Sequence, residues 1–282
     1  MTGIHGAVRR LAASTLGAPG VALPTVLAQI AAVGGTGVEL RAGADQPVRT
    51  TLTAVQRRAV VAQLAGYGIT PVAVASYVKV AADGPDEQVL TELRENLRLA
   101  ADLGARRVRV FPGALVEPRS AVDRCAARRL AEIAAPANDL GIQVVLETHV
   151  SHPRGADVAR ILTLVDRLAP GHRIGVIWDV LHPWRSGEPP ADTLAALSPW
   201  LRDGRGYVQL KDVASPADLT PVPPGTGTVP LREILALLDG AGYDDWLSLE
   251  WERAWYPDIP ELPVPLAATA ALLTRPVRHP RA

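Results

Sequence analysis

The sequence has very little cysteine, no excess of either charge and no long apolar run, and each of these absences excludes a class of protein. Cys125 is the single cysteine among 282 residues. One thiol can form neither an internal disulfide nor a cysteine-built zinc site, so folds that depend on paired cysteines are excluded. Because nothing in the composition requires an oxidising compartment, we expect a cytoplasmic protein.

The charge balance and the hydropathy exclude further partners. The 29 basic and 29 acidic residues cancel to a net charge of zero, so we expect no nucleic acid and no anionic membrane surface as a partner. No run of about 18 apolar residues is present to span a bilayer. An Arg-Arg pair at residues 9–10 is similar to the start of an export signal, but Gly17, Pro19 and Gly20 interrupt the apolar stretch behind it, and we expect no signal there.

What the sequence does contain is a repeated unit, in which a short β-branched run is followed by a longer stretch of helical periodicity. The runs cover residues 37–40, 71–76, 107–111, 143–147, 174–179, 207–210 and 246–250, with a weaker one at 8–15. Helices are predicted at 86–103, 121–140, 157–168, 192–201 and 231–241. When the last strand residues are taken as 39, 76, 111, 147, 179, 209 and 250, successive ends lie 30 to 41 residues apart. This spacing favours an α/β fold, a (β/α)8 TIM barrel forming one domain over residues 1–282. A doubly wound open sheet is the alternative, but no glycine-rich phosphate fingerprint follows the early strands.

Four successive predicted strands carry a metal-binding residue type at or near their ends, and these are Glu147, Asp179, Gln209 and Glu250. In a TIM barrel the carboxyl ends of the strands form the active-site mouth. Three carboxylates that meet there would repel one another and resist desolvation unless a cation joined them. The alternative is that each is an ordinary solvated loop residue. Four in a row at matching positions favour a divalent metal site.

Several phrases in the chain resemble a known family. They are Val-Val-Leu-Glu-Thr-His ending at His149, Trp-Asp-Val-Leu-His-Pro from Trp178, Tyr-Val-Gln-Leu-Lys-Asp from Tyr207 and Leu-Ser-Leu-Glu-Trp-Glu ending at Glu252. Together they resemble the xylose isomerase-like TIM barrels of the sugar phosphate isomerase and epimerase family. The resemblance implies that Glu147, Asp179, the residue at 209 and Glu250 bind the metal, that both glutamates act as acid and base, and that His182 contacts substrate.

Gln209 departs from this pattern, because many family members have histidine at that position. An amide oxygen completes an all-oxygen set of ligands, which favours Mn²⁺ or Mg²⁺ over Zn²⁺. If Gln209 does not bind the metal, the site is weakened or lost.

Three functions are compatible with these residues. The first is a metal-dependent isomerase or epimerase that acts on a small keto sugar or sugar-like substrate by proton transfer through an enediolate, with Glu147 and Glu250 as acid and base. The second is a lyase or dehydratase that performs β-elimination on a keto sugar, a keto-inositol or an oxidised glycoside. The third is a non-catalytic sugar-binding barrel. A DNA-repair nuclease is disfavoured by the neutral charge, and nothing in the sequence excludes a homo-oligomer.

Lysine is scarce, since Lys79 and Lys211 stand against 27 arginines, and a lysine that points into the mouth is therefore unexpected. We predict that Lys211 takes part in catalysis by binding a substrate oxygen or bracing a carboxylate. The alternative is a structural ion pair with Asp212 or Glu252.

Further candidates for substrate binding follow from position alone. They are His149 and Glu252, which share strand faces with the two glutamates, and the loop or strand-end residues Arg41, Trp184 and Arg253. The remaining histidines, His5, His152, His172 and His279, are expected at the surface.

Overall fold

Eight parallel strands form one closed barrel in which each strand pairs with its neighbours in chain order and β8 pairs with β1. The computed structural model describes residues 9–43, 46–114 and 118–274. The strands are β1 Arg10–Ser14, β2 Gly37–Arg41, β3 Thr70–Lys79, β4 Arg107–Phe111, β5 Gln143–Glu147, β6 Gly175–Asp179, β7 Tyr207–Leu210 and β8 Trp246–Leu249. The predicted (β/α)8 barrel is confirmed.

Helices follow the strands around the outside of the barrel. They are α1 Leu23–Ala32, α2 Ala54–Gly66, α3 Asp86–Leu103, α4 Arg119–Asp139, α5 Gly155–Leu168, α6 Leu181–Arg185, α7 Pro190–Leu201, α8 Leu231–Gly240 and α9 Pro263–Thr274. A single 3₁₀ turn, Thr15–Gly17, follows β1. Among the described residues, no helix is long and apolar enough to cross a membrane.

α3 shows how the local sequence sets these elements. Its buried positions Val89, Leu93, Leu97 and Ala100 recur at three- and four-residue intervals and face the sheet. The helix ends at Gly104, whose φ of 72° lies in the left-handed region that glycine adopts without strain. The apolar face and the stop signal explain why sequence periodicity located this helix correctly.

Two strand ends differ from the prediction. β3 continues to Lys79, three residues beyond the predicted run, and its pairing with β4 shifts register between Ala75 and Lys79. β8 ends at Leu249, so Glu250 follows the strand instead of closing it. Its backbone N–H still donates to Leu210 O at 3.1 Å, which fixes Glu250 to β7.

The barrel interior is filled by a separate group of buried side chains: Ala12, Val72, Ala73, Val145, Ile177, Tyr207 and Trp246. Strand residues alternate between the interior and the helices, so inward-facing positions lie in successive layers along the barrel axis. On β7, for example, Tyr207 lies in this apolar layer and Gln209, two residues later, lies nearer the carboxyl-terminal mouth. This layering separates the two ends of the barrel.

Candidate metal and substrate site

The carboxyl ends of β5 to β8 bring the four predicted metal-binding side chains into one buried cluster. One carboxylate oxygen from each of Glu147, Asp179 and Glu250 lies within 4.8 Å of the other two. Gln209 is paired with Asp179 in the β6–β7 ladder. All four side chains are buried, Glu250 being the most accessible at 5%.

Each of these four residues presents one buried oxygen that accepts no well-formed hydrogen bond among the described residues. The atoms are Glu147 Oε2, Asp179 Oδ2, Gln209 Oε1 and Glu250 Oε2. The three carboxylate oxygens lie against Arg109 or Lys211, whereas Gln209 Oε1 has no polar contact among the described residues. Leaving a buried acceptor unsatisfied costs about 1–3 kcal/mol, and one cation would satisfy all four oxygens together. The second oxygen of Asp179 accepts the Leu181 N–H at 2.9 Å, which directs Oδ2 towards the cluster. Four oxygen donors of this kind fit a hard divalent cation.

Glu39 on β2 fixes the orientation of Gln209. The Gln209 amide nitrogen Nε2 donates to Glu39 Oε2 at 3.0 Å, and the Tyr207 hydroxyl donates to the same oxygen at 2.7 Å. The Ser248 hydroxyl donates to the other oxygen of Glu39. With its nitrogen held by Glu39, the amide of Gln209 keeps its oxygen without a hydrogen bond among the described residues, at the strand position paired with Asp179. Burial, and next the charge of Glu250, raise the pKa of Glu39.

Two buried cations lie against the carboxylates. Lys211 Nζ lies 2.8 Å from Asp179 Oδ2, 2.5 Å from Glu250 Oε2 and 2.8 Å from Glu252 Oε1. Arg109 Nη1 on β4 lies 3.3 Å from Glu147 Oε2 and 3.4 Å from Glu250 Oε1. These are ion-pair contacts. Two of the oxygens that Lys211 approaches, Asp179 Oδ2 and Glu250 Oε2, belong to the set without a well-formed hydrogen bond. The pairing with Glu252, which was the alternative to a catalytic role for Lys211, is present, whereas Asp212 accepts backbone N–H groups instead.

The electrostatic environment separates the two glutamates. Burial raises the pKa of Glu147 well above its usual value, and Arg109 opposes this only in part. Burial would also raise the pKa of Glu250, but Lys211 and Arg109 outweigh it and lower that pKa. Burial raises the pKa of Asp179 against the opposing charge of Lys211. The three carboxylates of the cluster therefore carry more negative charge than the two cations, Arg109 and Lys211, neutralise.

Two neutral histidines form one wall of the mouth. The rings of His149 and His182 lie 4.9 Å apart, and Phe111 packs 4.3 Å from the ring of His149. His182 Nε2 lies 3.5 Å from Asp179 Oδ2. Burial lowers the pKa of each histidine to about 3. Because a neutral imidazole both donates and accepts hydrogen bonds, this wall suits a substrate rich in hydroxyl groups.

The other substrate-binding candidates are divided between the mouth and the loops. Arg41 donates from Nε to the Tyr77 hydroxyl, and its guanidinium lies 4.9 Å from the ring centre of Trp255. The ring of Tyr77 lies 6.2 Å from that of Phe111, which packs on His149, so Arg41 and Tyr77 extend the same wall. Trp184 instead packs, partly buried, against the helical core. Arg253 donates to Ile259 O within its own loop.

Sequence reasoning missed Glu39, Arg109 and Tyr77. The alternation of Arg107, Arg109 and Phe111 on one strand face was the available signal, because charged residues at alternate positions of a buried strand face the barrel interior.

Two further expectations are corrected. His152 is fully buried, and its Nε2 contacts Asp123 Oδ1 at 2.9 Å, while His172 is 7% exposed and contacts Asp166. Both rings satisfy buried polar partners and are not surface residues. His5 and His279 lie outside the described residues.

Asp212 organises the loop after β7. Its carboxylate accepts the backbone N–H groups of Val213, Gly225, Gly227 and Val229 at 2.8–3.1 Å. A Cβ on Gly227 would lie 2.2 Å from Asp212 Oδ1, so only glycine permits this close approach. The glycine- and proline-rich segment after β7 is therefore tied to the barrel rim.

A family model described as xylose isomerase-like TIM barrel matches residues 27–273. The chain belongs to this family. Among curated relatives, it is 28% identical over 189 residues to a putative hydroxypyruvate isomerase from Streptomyces coelicolor, covering 60% of this chain and 64% of the relative. It is 31% identical over 135 residues to an inosose dehydratase from Klebsiella pneumoniae, covering 42% of this chain and 43% of the relative. Both matches thus span less than two thirds of the relative's own length.

Several solved structures share the fold of this chain, although their sequences are less similar to it than those of the curated relatives. A D-psicose 3-epimerase has a TM-score of 0.75 at 14% identity, with 95% of this chain and 99% of that chain covered. The IolI protein, whose structure contains a zinc atom, has a TM-score of 0.75 at 17% identity, with 93% and 96% covered. At these identities the likeness shows the fold alone.

Proposed function

We propose that this protein is a divalent-metal-dependent isomerase or epimerase that transfers a proton on a keto sugar or a similar polyhydroxylated carbonyl compound. The observation that carries the proposal is the set of four buried oxygens from Glu147, Asp179, Gln209 and Glu250 that accept no well-formed hydrogen bond. Ion-pair contacts from Arg109 and Lys211 reach the three carboxylate oxygens and leave Gln209 Oε1 without a polar contact among the described residues, whereas one divalent cation would satisfy all four.

A bound divalent cation would polarise the carbonyl and hydroxyl oxygens of the substrate, which acidifies the carbon-bound proton between them. Glu147, Asp179, Gln209 and Glu250 would hold it. Because all four donors are oxygens, we propose Mn²⁺ or Mg²⁺ as the working ion. The zinc atom in the IolI structure belongs to that protein.

The two glutamates are placed for acid and base roles. Glu147 and Glu250 enter the cluster from β5 and from the end of β8, and Arg109 contacts both. Pairs of titratable groups whose environments push their pKa values in opposite directions are typical of acid and base partners. In the metal-free chain, Lys211 and Arg109 hold Glu250 as a carboxylate, and burial favours the protonated form of Glu147. A bound cation would shift Glu147 towards the carboxylate that binds it.

The surrounding residues would bind and orient the substrate. His149 and His182 offer neutral ring nitrogens, and Lys211 offers an ammonium that reaches between Asp179 and Glu250. Arg41 and Tyr77 lie farther out on the β2 and β3 side. A mouth lined by fixed donors and acceptors and one aromatic face fits a small polyol better than an apolar ligand.

A dehydratase is the second candidate, because a curated relative is named inosose dehydratase and a similar structure, with a TM-score of 0.74, is a probable 3-DHS dehydratase from Bacillus anthracis. Elimination begins with the same proton abstraction and ends with loss of hydroxide. Lys211 or His182 would then have to assist the departing oxygen.

Exchange of substrate protons with solvent deuterium tests the proposal directly. The Mn²⁺-loaded chain would be incubated in D₂O with a panel of ketoses and keto-inositols and followed by NMR. We expect deuterium at the carbon beside the carbonyl of at least one compound, together with a new sugar isomer. Formation of an enone without an isomer would favour the dehydratase, and no exchange across the panel, with Mn²⁺ shown to be bound, would favour a non-catalytic sugar-binding barrel.

A further inference from the structure

A second cavity opens at the opposite end of the barrel from the cluster of Glu147 and Glu250. Its volume is about 1030 Å³, and its lining includes the first residues of several strands, among them Arg10, Arg107, Gln143 and Trp246. The candidate site lies at the last residues of the strands, with the apolar interior layer between the two ends. The proton-transfer chemistry therefore makes no use of this space.

Five arginines line this space, which we call the arginine cavity: Arg10, Arg106, Arg107, Arg173 and Arg202. The four other than Arg107 have exposed side chains. Among the described residues, none of these four side chains forms an ion pair or donates a hydrogen bond, and Arg10 has only its stacking contact, 3.9 Å above the ring of Trp246. Like charges that surround one concave space repel one another, so an anion placed between them would be bound favourably.

The lining of the cavity also contains two buried polar side chains, each with a group that lacks a hydrogen-bond partner among the described residues. Arg107 is 4% exposed, and both of its hydrogen bonds leave from Nη2, to Gly204 O and to Asp245 Oδ2. Its buried Nε has no hydrogen-bond partner among the described residues. Gln143 is 7% exposed, and within the described part of the chain its side-chain amide is likewise without a hydrogen bond. Buried donors of this kind are usually satisfied, and here they line the same cavity as the exposed arginines.

The charge of the lining remains positive when its acidic residues are counted. Asp203, Asp244 and Asp245 are the aspartates that line the cavity, and Asp245 is already paired with Arg107 at 2.5 Å. Stacking on Trp246 uses the face of the Arg10 guanidinium and leaves its N–H edge available. Guanidinium edges form charge-assisted, bidentate hydrogen bonds with phosphate oxygens.

We propose that the arginine cavity binds a small molecule that carries at least two phosphate groups. Four lining arginines that form no ion pair among the described residues offer more N–H groups than one phosphate can accept, which favours a ligand with more than one anionic group. The volume admits a ligand of nucleotide size. This site is independent of the proposed sugar chemistry, since it shares none of its residues.

Isothermal titration of the metal-free full-length chain with sodium tripolyphosphate tests the proposal. We expect saturable binding at one site, weaker binding of inorganic phosphate, and at least about tenfold weaker binding of tripolyphosphate by the double variant Arg106→Gln/Arg173→Gln. Both side chains are exposed, so the variant should keep its thermal midpoint. The matched control, Arg58→Gln/Arg124→Gln, removes the same charge from exposed positions on α2 and α4 and should bind like the parent chain.

Several results would overturn the assignment. Absence of binding, or equal weakening in the control variant, would show that the arginines form only a solvated surface. Unchanged binding in the Arg106 and Arg173 variant would place the anion elsewhere, such as the mouth around Lys211. Citrate that binds as tightly as tripolyphosphate would replace the ligand class with polycarboxylates, and an oligothymidylate that binds more tightly would replace it with nucleic acid.

Discussion

Gln209 donates a hydrogen bond from its amide nitrogen to Glu39 Oε2 across 3.0 Å of the barrel interior. Because an amide has one oxygen and one nitrogen at its end, this bond leaves the oxygen as the atom available to a metal ion. Gln209 departs from the family pattern, in which many members have histidine, and its hydrogen bond to Glu39 orients it as a metal ligand. Residues that orient a metal ligand commonly affect metal affinity 10- to 100-fold.

Replacement of Glu39 by methionine should weaken Mn²⁺ binding by roughly tenfold or more, because Gln209 would lose the acceptor that orients it. The conservative variant Glu39→Gln keeps an amide oxygen that can accept the same hydrogen bond, and it should retain most of the affinity. Titration calorimetry with circular dichroism as a check on folding measures both. Equal Mn²⁺ affinity in the two variants would show that Glu39 does not orient Gln209.

Replacement of Gln209 by histidine should shift metal preference towards Zn²⁺. An imidazole nitrogen is a softer ligand than an amide oxygen and suits zinc, while Mn²⁺ is served well by oxygen. We expect the ratio of Zn²⁺ to Mn²⁺ affinity to rise by about tenfold or more, as measured by competition with a chelating dye. A ratio that does not move would mean that position 209 is not a ligand.

Replacement of Lys211 by methionine should affect metal binding and catalysis in opposite directions. The ammonium lies within 2.8 Å of Asp179 and 2.5 Å of Glu250, so it competes with a cation for the same oxygens. Its removal should tighten Mn²⁺ binding, lower the free energy of unfolding of the metal-free chain by about 3 kcal/mol, and reduce turnover.

Lys79→Met supplies the matched control for this variant, because Lys79 is the other lysine in the chain and its side chain is exposed. It should leave metal affinity and unfolding free energy within about 0.5 kcal/mol of the parent values. Weaker Mn²⁺ binding in Lys211→Met would indicate that the lysine organises the ligands instead of competing for them.

The buried pair of His152 and Asp123 should make the metal-free fold sensitive to mild acid. Burial lowers the pKa of His152 in the folded chain, so the unfolded chain binds the proton more readily as pH falls below about 6.5. Stability that is present above that pH is then lost as pH falls towards the folded pKa, by up to about 1.4 kcal/mol per pH unit.

The variant His152→Asn should show a smaller slope of unfolding free energy between pH 5 and 7 than the parent chain, whatever its absolute stability. Denaturant titrations at several pH values measure this slope. If the two slopes agree, His152 is not the group responsible.

The sequence was sufficient to predict the barrel and the cluster at its mouth, because each depends on a local or periodic signal. Glu147, Asp179 and Gln209 occupy equivalent ends of neighbouring strands, and parallel pairing brings equivalent ends together. The contact of Glu39 with Gln209 could not be predicted in the same way, since β2 and β7 meet only across the closed interior. Their proximity depends on barrel closure and on the side-chain layers, which strand order alone does not provide.

Arg109 and His152 show two other limits. Arg109 lies on a strand whose alternation was visible, but the partners of its guanidinium come from β5 and from the end of β8. His152 was expected at the surface, but it is buried in contact with Asp123 on α4. In both cases the deciding contact is distant in sequence, so local reasoning assigned the wrong environment or none.

The central claim is that four oxygen-bearing side chains form one divalent metal site at the carboxyl end of the barrel. Titration of the metal-free chain with Mn²⁺, followed by calorimetry or by electron paramagnetic resonance of the free ion, tests it most directly. The account predicts one ion per chain, binding weakened at least about 100-fold in Asp179→Asn, and little change in Glu252→Gln, whose carboxylate contacts Lys211 but lies outside the four-oxygen set. Absence of saturable Mn²⁺ binding, or the same affinity in Asp179→Asn as in the parent chain, would contradict it.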